Sequence, residues 1–190
     1  MNLAPSPEIE STWYIREVDQ ASLEWSLDKA LRRSGSMNHA DTVNSKNMRP
    51  DRPGYWRHYV GIIGELAYSW FSEQVLGIIQ KVDIKTIGRG DTGIDFPDGS
   101  QIKATDCHKV PRLMVIVSQW KRKEEKRFVL AWIRWNVKPL PTVSLMGWIT
   151  REEFEKLHRI EDAGRAMGPS MWVDHKELHP METLKYELHH

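Results

Sequence analysis

The sequence predicts an α/β or α+β domain on three observations. Two stretches with apolar residues at helical spacing come first, a series of short β-branched and aromatic runs follows, and a helix with a capping signature comes after them. Near the start, Thr12 to Val18 is strand-like and ends at Asp19, a suitable helix N-cap. Ala21, Leu23, Trp25, Leu27, Ala30 and Leu31 then mark an amphipathic helix that stops near Ser34-Gly35. Residues 35–54 lack apolar periodicity and carry Pro50 and Pro53, which predicts a mobile loop. From Tyr55 to about Leu76, the residues Tyr59, Ile62, Ile63, Leu66, Ala67, Trp70 and Phe71 recur at helical intervals. Gly61 and Gly64 weaken that helix by about 1 kcal/mol each relative to alanine, which implies close backbone approach to a neighbour. Val82 to Ile87, Gly93 to Phe96, Gln101 to Thr105, Leu113 to Gln119, Phe128 to Trp135 and Val143 to Ile149 read as strands. Thr150 and Glu153 form a capping box that opens a helix through Leu157, and the turn-rich HPMETL lies near the end.

The 190 residues suit a single domain, with no internal repeat and no low-complexity tract. A mean hydropathy of −0.55 and the lack of an apolar run near eighteen residues exclude a membrane-spanning helix. The opening MNLAPSPEIE is acidic and lacks a basic-then-apolar stretch, so a cytosolic setting is expected. One cysteine, Cys107, excludes an internal disulfide framework and a Cys-based zinc site. The net charge of +1 is uninformative, but its distribution is not. Between Cys107 and Lys138 nine bases face only Glu124 and Glu125, as expected of a protein with one face toward phosphate or of a solvated lysine-rich segment.

The most informative stretch is Gly93 to Thr105, GIDFPDGSQIKAT. Pro97 and Asp98 suit the centre of a type I turn, and Gly99 suits the left-handed residue after it, giving a three-residue hairpin loop. In that register Asp95 faces Gln101, so Asp95, Gln101 and Lys103 share one face. Ile94, Phe96 and Ile102 take the other face, which suits a core. Glu65 is a second carboxylate, beside the apolar stripe of the long helix.

These residues resemble the PD-(D/E)XK nuclease superfamily. Gly64-Glu65-Leu66-Ala67, Gly93-Ile94-Asp95-Phe96 and Gln101-Ile102-Lys103 follow the order of its helix glutamate, strand aspartate, hairpin and X-Lys strand over about forty residues. Gly147 to Phe154 and Leu178 to Glu182 are also similar to phage-encoded members. The resemblance implies the restriction-endonuclease-like fold, a central mixed β-sheet flanked by helices, in a bacterial or phage-infected cell. It implies a Mg²⁺- or Mn²⁺-dependent deoxyribonuclease, with Asp95 as central ligand, joined by the Gln101 oxygen, the Ile102 carbonyl and Glu65, and with Lys103 beside the attacking water. Gln101 departs from the commoner Glu or Asp and brings no charge to the cation.

DNA would be held through phosphate contacts, with Arg52, Arg57, Lys109, Lys121, Arg122 and Lys123 as candidates and Trp120 as a stacking ring. A symmetric homodimer would suit cleavage of both strands, though no segment marks an interface. Asp91, His175 with His179, and Cys107-His108 carry weaker signals: a structural turn accounts for Asp91 at least as well, surface positions account better for the two histidines, and small-residue packing accounts better for Cys107. Two other readings use the same residues: a noncatalytic nucleic-acid-binding protein of the same fold, and a phage structural or interaction protein with a solvated polar hairpin face.

Overall fold

A computed structural model describes residues 12–36, 53–82, 95–120, 125–135, 139–162 and 168–188. The loop expected at 35–54 lies mostly outside these residues, as do the strand at Val82 to Ile87 beyond its first residue, Gly93 and Ile94. The elements are β1 (Tyr14–Glu17), α1 (Gln20–Ser36), α2 (Trp56–Phe71), β2 (Ser100–Thr105), β3 (Leu113–Ile116), α3 (Val117–Trp120), β4 (Arg127–Arg134), β5 (Thr142–Thr150), α4 (Arg151–Leu157), β6 (Arg159–Asp162), β7 (Pro169–Val173) and α5 (Leu184–Leu188). A π-helical turn, Ser72–Leu76, extends α2 and ends at Gly77 in the left-handed region, φ +71°.

The first sheet has the order β1-β5-β4-β2 and is mixed: β5 is antiparallel to both neighbours, whereas β2 runs parallel to β4. The second, antiparallel sheet has the order β3-β7-β6. β4 explains how they stack. Its sequence RFVLAWIR is apolar without interruption because both faces are covered. Val129, Ala131 and Ile133 join the core shared with α1 and α2, including Tyr59, Ile62, Ile63, Ala67 and Tyr68. Phe128, Leu130 and Trp132 point the other way, into a core with Leu113 and Val115 of β3 and Met171 and Val173 of β7. Helices therefore cover one face of the mixed sheet and the second sheet backs the other. The mixed α/β architecture with helices against a mixed sheet is as expected, whereas the second sheet at its back was not anticipated.

Local signals mostly hold. Ser22 N donates to Asp19 Oδ1 at 2.7 Å, capping α1. Thr150 and Glu153 form the reciprocal capping box of α4. The strand expected through Gln119 stops at Ile116, and the chain continues as the single turn α3. Of the two glycines in α2, only Gly64 is pressed. A Cβ there would lie 2.7 Å from Ala104 Cβ and 3.2 Å from Ala131 Cβ, while one at Gly61 would meet nothing within 4 Å among the described residues.

A bulge separates Leu130 and Ala131 on β4, opposite Gly147 and Leu145 on β5. Gly147 has φ +153°, and a side chain there would strike the His179 carbonyl at 2.7 Å. The C-terminal segment crosses at this point: Trp148 and His179 exchange backbone hydrogen bonds, and Trp148 Nε1 donates to Pro180 O. Among the described residues no helix is long and apolar enough to cross a membrane.

Candidate functional site

The hairpin loop forms as its sequence predicts. Gly99 has φ +86° and donates to Phe96 O at 3.0 Å, and Asp95 N and Phe96 N both donate to Ser100 O. Residues 95 and 96 themselves are a bend rather than strand. Asp98 does more than occupy the turn. Its Oδ1 accepts from Ser100 N, and its Oδ2 accepts from Tyr68 OH at 2.6 Å and from Gln80 Nε2 at 2.9 Å. Burial first, then the charge of Asp98, pushes the Tyr68 phenol far above its ordinary range, so it stays a donor. Arg127 Nη1 closes the loop from the other side by donating to Asp98 O. Sequence reading missed this network; the available signal was a tyrosine on the buried stripe of a helix, whose hydroxyl needs a partner.

Asp95 is tied directly to β2: its Oδ2 accepts from Ile102 N at 2.7 Å. The N–H and C=O of one strand residue project toward the same edge, so the Ile102 carbonyl points to the Asp95 side. Among the described residues β2 is the outer strand of its sheet. Ile102 packs in the helix-side core, and alternation sends Gln101 and Lys103 to the opposite face, level with Phe128 and Leu130. Gln101 is only 4% exposed, and its Oε1 has no hydrogen-bond partner among the described residues. Lys103 is half-buried.

Glu65 is positioned by the path of α2. Trp56 Nε1 donates to Asp106 Oδ2 at 2.9 Å, Gly64 meets Ala104 and Ile102, and Tyr68 OH reaches Ser100 Oγ at 2.9 Å. These three contacts show α2 running antiparallel to β2, with Glu65 level with Ile102 and Lys103. Glu65 is buried, and Arg33 Nη1 of α1 donates to its Oε1 at 3.3 Å. The sequence reading did not anticipate Arg33. A helical wheel holds the clue, since Arg33 continues the face of Ser26 and Ala30, both fully buried.

His58 is a further residue that sequence reading passed over, two turns before Glu65 on the same face of α2. Burial first, then the charges of Arg33 and Arg57, lowers its imidazole to about 4, so it is neutral near pH 7.

The basic segment is not one continuous surface. Arg112 pairs with Glu161 through both terminal nitrogens at 2.8 Å, Arg127 is buried against Asp98, and Arg134 donates to Ser144 Oγ. Arg57, Lys109 and Lys126 are exposed, while Arg52, Asp91, Lys121, Arg122 and Lys123 lie outside the described residues. Trp120 packs against Phe128 and Phe154, and the Arg151 guanidinium sits 3.9 Å from its ring centre, so its stacking surface is already used. The two histidines of HKELH go to separate partners: His175 contacts the Trp13 ring, and His179 Nε2 lies 2.9 Å from Glu153 Oε1.

Asp95, Gln101 Oε1, the Ile102 carbonyl and Glu65 are all oxygen donors, the set a hard divalent cation takes. The buried amide oxygen, unpartnered among the described residues, fits such a ligand. Only two of the four donors are carboxylates, and among the described residues no group of three or more His, Cys, Asp or Glu side chains is placed to hold a metal. Comparison of the chain with protein-family models, curated proteins and solved structures finds no match.

Proposed function

We propose that this protein is a metal-dependent DNA nuclease of the PD-(D/E)XK type, with the restriction-endonuclease-like fold as its structural frame. One observation carries the reading: α2 runs antiparallel to β2 and sets Glu65 level with Ile102, the residue whose N–H already holds Asp95. Glu65 thus lies on the α2 side of β2, Asp95 is tied to the strand edge at Ile102, and Gln101 and Lys103 lie on the face of β2 turned away from α2.

Asp95, Gln101, Ile102 and Glu65 would hold a Mg²⁺ or Mn²⁺ ion, which when bound polarises the phosphate and lowers the pKa of water. The chain's own groups have separable tasks. Asp95 is oriented before any ligand arrives, because the Ile102 N–H holds one carboxylate oxygen. The Asp98 network with Tyr68, Gln80 and Arg127 keeps the hairpin rigid, so this orientation is preorganised rather than induced. Lys103, on the same face as Gln101, supplies a positive charge toward the scissile phosphate and a donor that orients the attacking water. Arg57 and Lys109 lie toward the end where α2 begins and β2 has just finished, a suitable place for flanking phosphates.

The reading is tested by cleavage of supercoiled, linear, single-stranded and branched DNA with Mg²⁺, Mn²⁺ or EDTA, for the parent protein, Asp95→Ala and Lys103→Ala. We expect metal-dependent cleavage that falls at least about 100-fold in both variants. DNA binding without cleavage would favour a noncatalytic binding module instead. The neutral Gln101 and the Arg33 ion pair on Glu65 are the observations on that side.

A further inference from the structure

Arg33 stands in the last turn of α1 with its side chain 21% exposed, against 10% for its partner Glu65. Ser26 and Ala30, the small buried residues on the same face, let α1 approach α2 closely, and the arginine continues that face toward the site. His58, on the Glu65 face of α2, feels the charge of Arg33 as well. A guanidinium thus lies beside the helix carboxylate of the candidate site.

We propose that Arg33 is a phosphate-binding residue: its guanidinium neutralises Glu65 in the free protein and passes to a non-bridging phosphate oxygen of the nucleic acid when a divalent cation takes up Glu65. The inference rests on the nuclease reading, because it needs both a cation and a phosphodiester at Glu65. Its physical basis is charge competition. A divalent cation and a guanidinium compete for the same carboxylate oxygen, and the doubly charged ion is attracted more strongly. A largely buried guanidinium that gives up a carboxylate is stabilised when another oxyanion takes that place. A phosphate does so with the same planar, two-toothed geometry. Neutral His58 adds no positive charge that would oppose the exchange. A fixed clamp between α1 and α2 would use the same ion pair but would not sense DNA.

The two roles separate in a binding experiment. Fluorescence anisotropy of a duplex oligonucleotide is measured with Ca²⁺ across a salt series for the parent protein, Arg33→Ala and Arg33→Lys, alongside Mg²⁺-supported cleavage and thermal melting. We expect Arg33→Ala to bind roughly tenfold more weakly and to lower the slope of log K against log salt by about 0.9, the loss of one phosphate contact. Arg33→Lys should recover the slope and only part of the affinity, because lysine keeps the charge and loses the fork. In EDTA, Glu65→Gln should bind DNA several-fold more tightly by releasing Arg33, and the gain should vanish in Glu65→Gln/Arg33→Ala. That comparison stands even if Arg33→Ala alone folds poorly. A parent protein that cleaves DNA, with Arg33 variants of unchanged affinity and slope, overturns this inference alone. A gain that persists in the double variant does the same. A parent protein that neither binds nor cleaves DNA overturns the nuclease reading and this inference together.

Discussion

Gln101 is the residue at which sequence and structure bear most directly on one another. The sequence marked it as the neutral member of an acidic pattern, and the structure buries it with an oxygen that no described residue satisfies. An unsatisfied buried acceptor costs roughly 1–3 kcal/mol, so an oxygen that no described residue meets calls for a water, a ligand or another partner. Gln101→Glu tests for a cation there. A carboxylate there should destabilise the metal-free protein by roughly 2–3 kcal/mol through burial of charge. Adding Mn²⁺ or Mg²⁺ should then raise its melting temperature by more than it raises that of the parent protein, because a charged oxygen binds the cation more tightly. Differential scanning fluorimetry with and without EDTA reads both effects, and equal metal shifts in the two proteins would remove Gln101 from the ligand set. At this scale the hairpin turn was legible from Pro97, Asp98 and Gly99, and so was the alternation that sends Gln101 and Lys103 to one face of β2 and Ile102 to the other. The partners of Arg33, His58 and Asp98 were not, since each acts across elements far apart in sequence.

At the scale of the element, α2 does most to position the site, and its two glycines make a controlled comparison. Both weaken helix propensity equally, which is all a sequence can say of them. In the fold Gly64 faces Ala104 and Ala131, while Gly61 faces open space among the described residues. Gly61→Ala should therefore stabilise the protein by up to about 1 kcal/mol. Gly64→Ala should destabilise it by about 1–3 kcal/mol despite the same propensity gain, because the new methyl meets two Cβ atoms that move only with their strands. Urea denaturation of the two variants measures both signs. If Gly64→Ala proved neutral, α2 would not be seated on β2 as closely as the placement of Glu65 requires. The same contrast explains which elements were readable. Capping residues such as Asp19 and Thr150, and the turn glycine Gly99, state their roles within a few residues. The split of β4 between two cores, and the second sheet behind it, depend on pairings between strands distant in sequence. Short runs such as Leu113–Ile116 and Pro169–Val173 look alike whichever sheet they join.

For the whole molecule, the histidines and the carboxylate that folding perturbs make stability depend on acid pH in one direction. Folding lowers His58 from 6.5 to about 4, through burial and then the charges of Arg33 and Arg57. His175 is also lowered, chiefly by burial. Glu153 moves the same way: burial pushes its carboxyl up, but hydrogen bonds from Thr150 and His179 outweigh it and leave the group below its ordinary value. A histidine whose folded pKa is depressed binds its proton first in the unfolded chain, so its contribution is complete above pH 6.5 and is lost as pH falls toward the folded value. A depressed carboxylate contributes fully above its unfolded pKa and loses that contribution in more acid solution. The windows join, and the protein should lose stability steadily as pH drops from about 6.5 to 4. The His58 share is on the order of 1–2 kcal/mol once its partial solvent exposure is allowed for. His58→Gln should accordingly flatten the upper part of the decline, and thermal unfolding at half-unit pH steps would show it as a melting temperature a few degrees less sensitive between pH 6.5 and 4. Because the Arg33 charge adds to burial in keeping His58 neutral, from the same place where it neutralises Glu65, Arg33→Ala should relieve part of the same acid sensitivity. An unchanged profile in both variants would mean that α1 and α2 do not share the charge cluster on which the arrangement of the site depends.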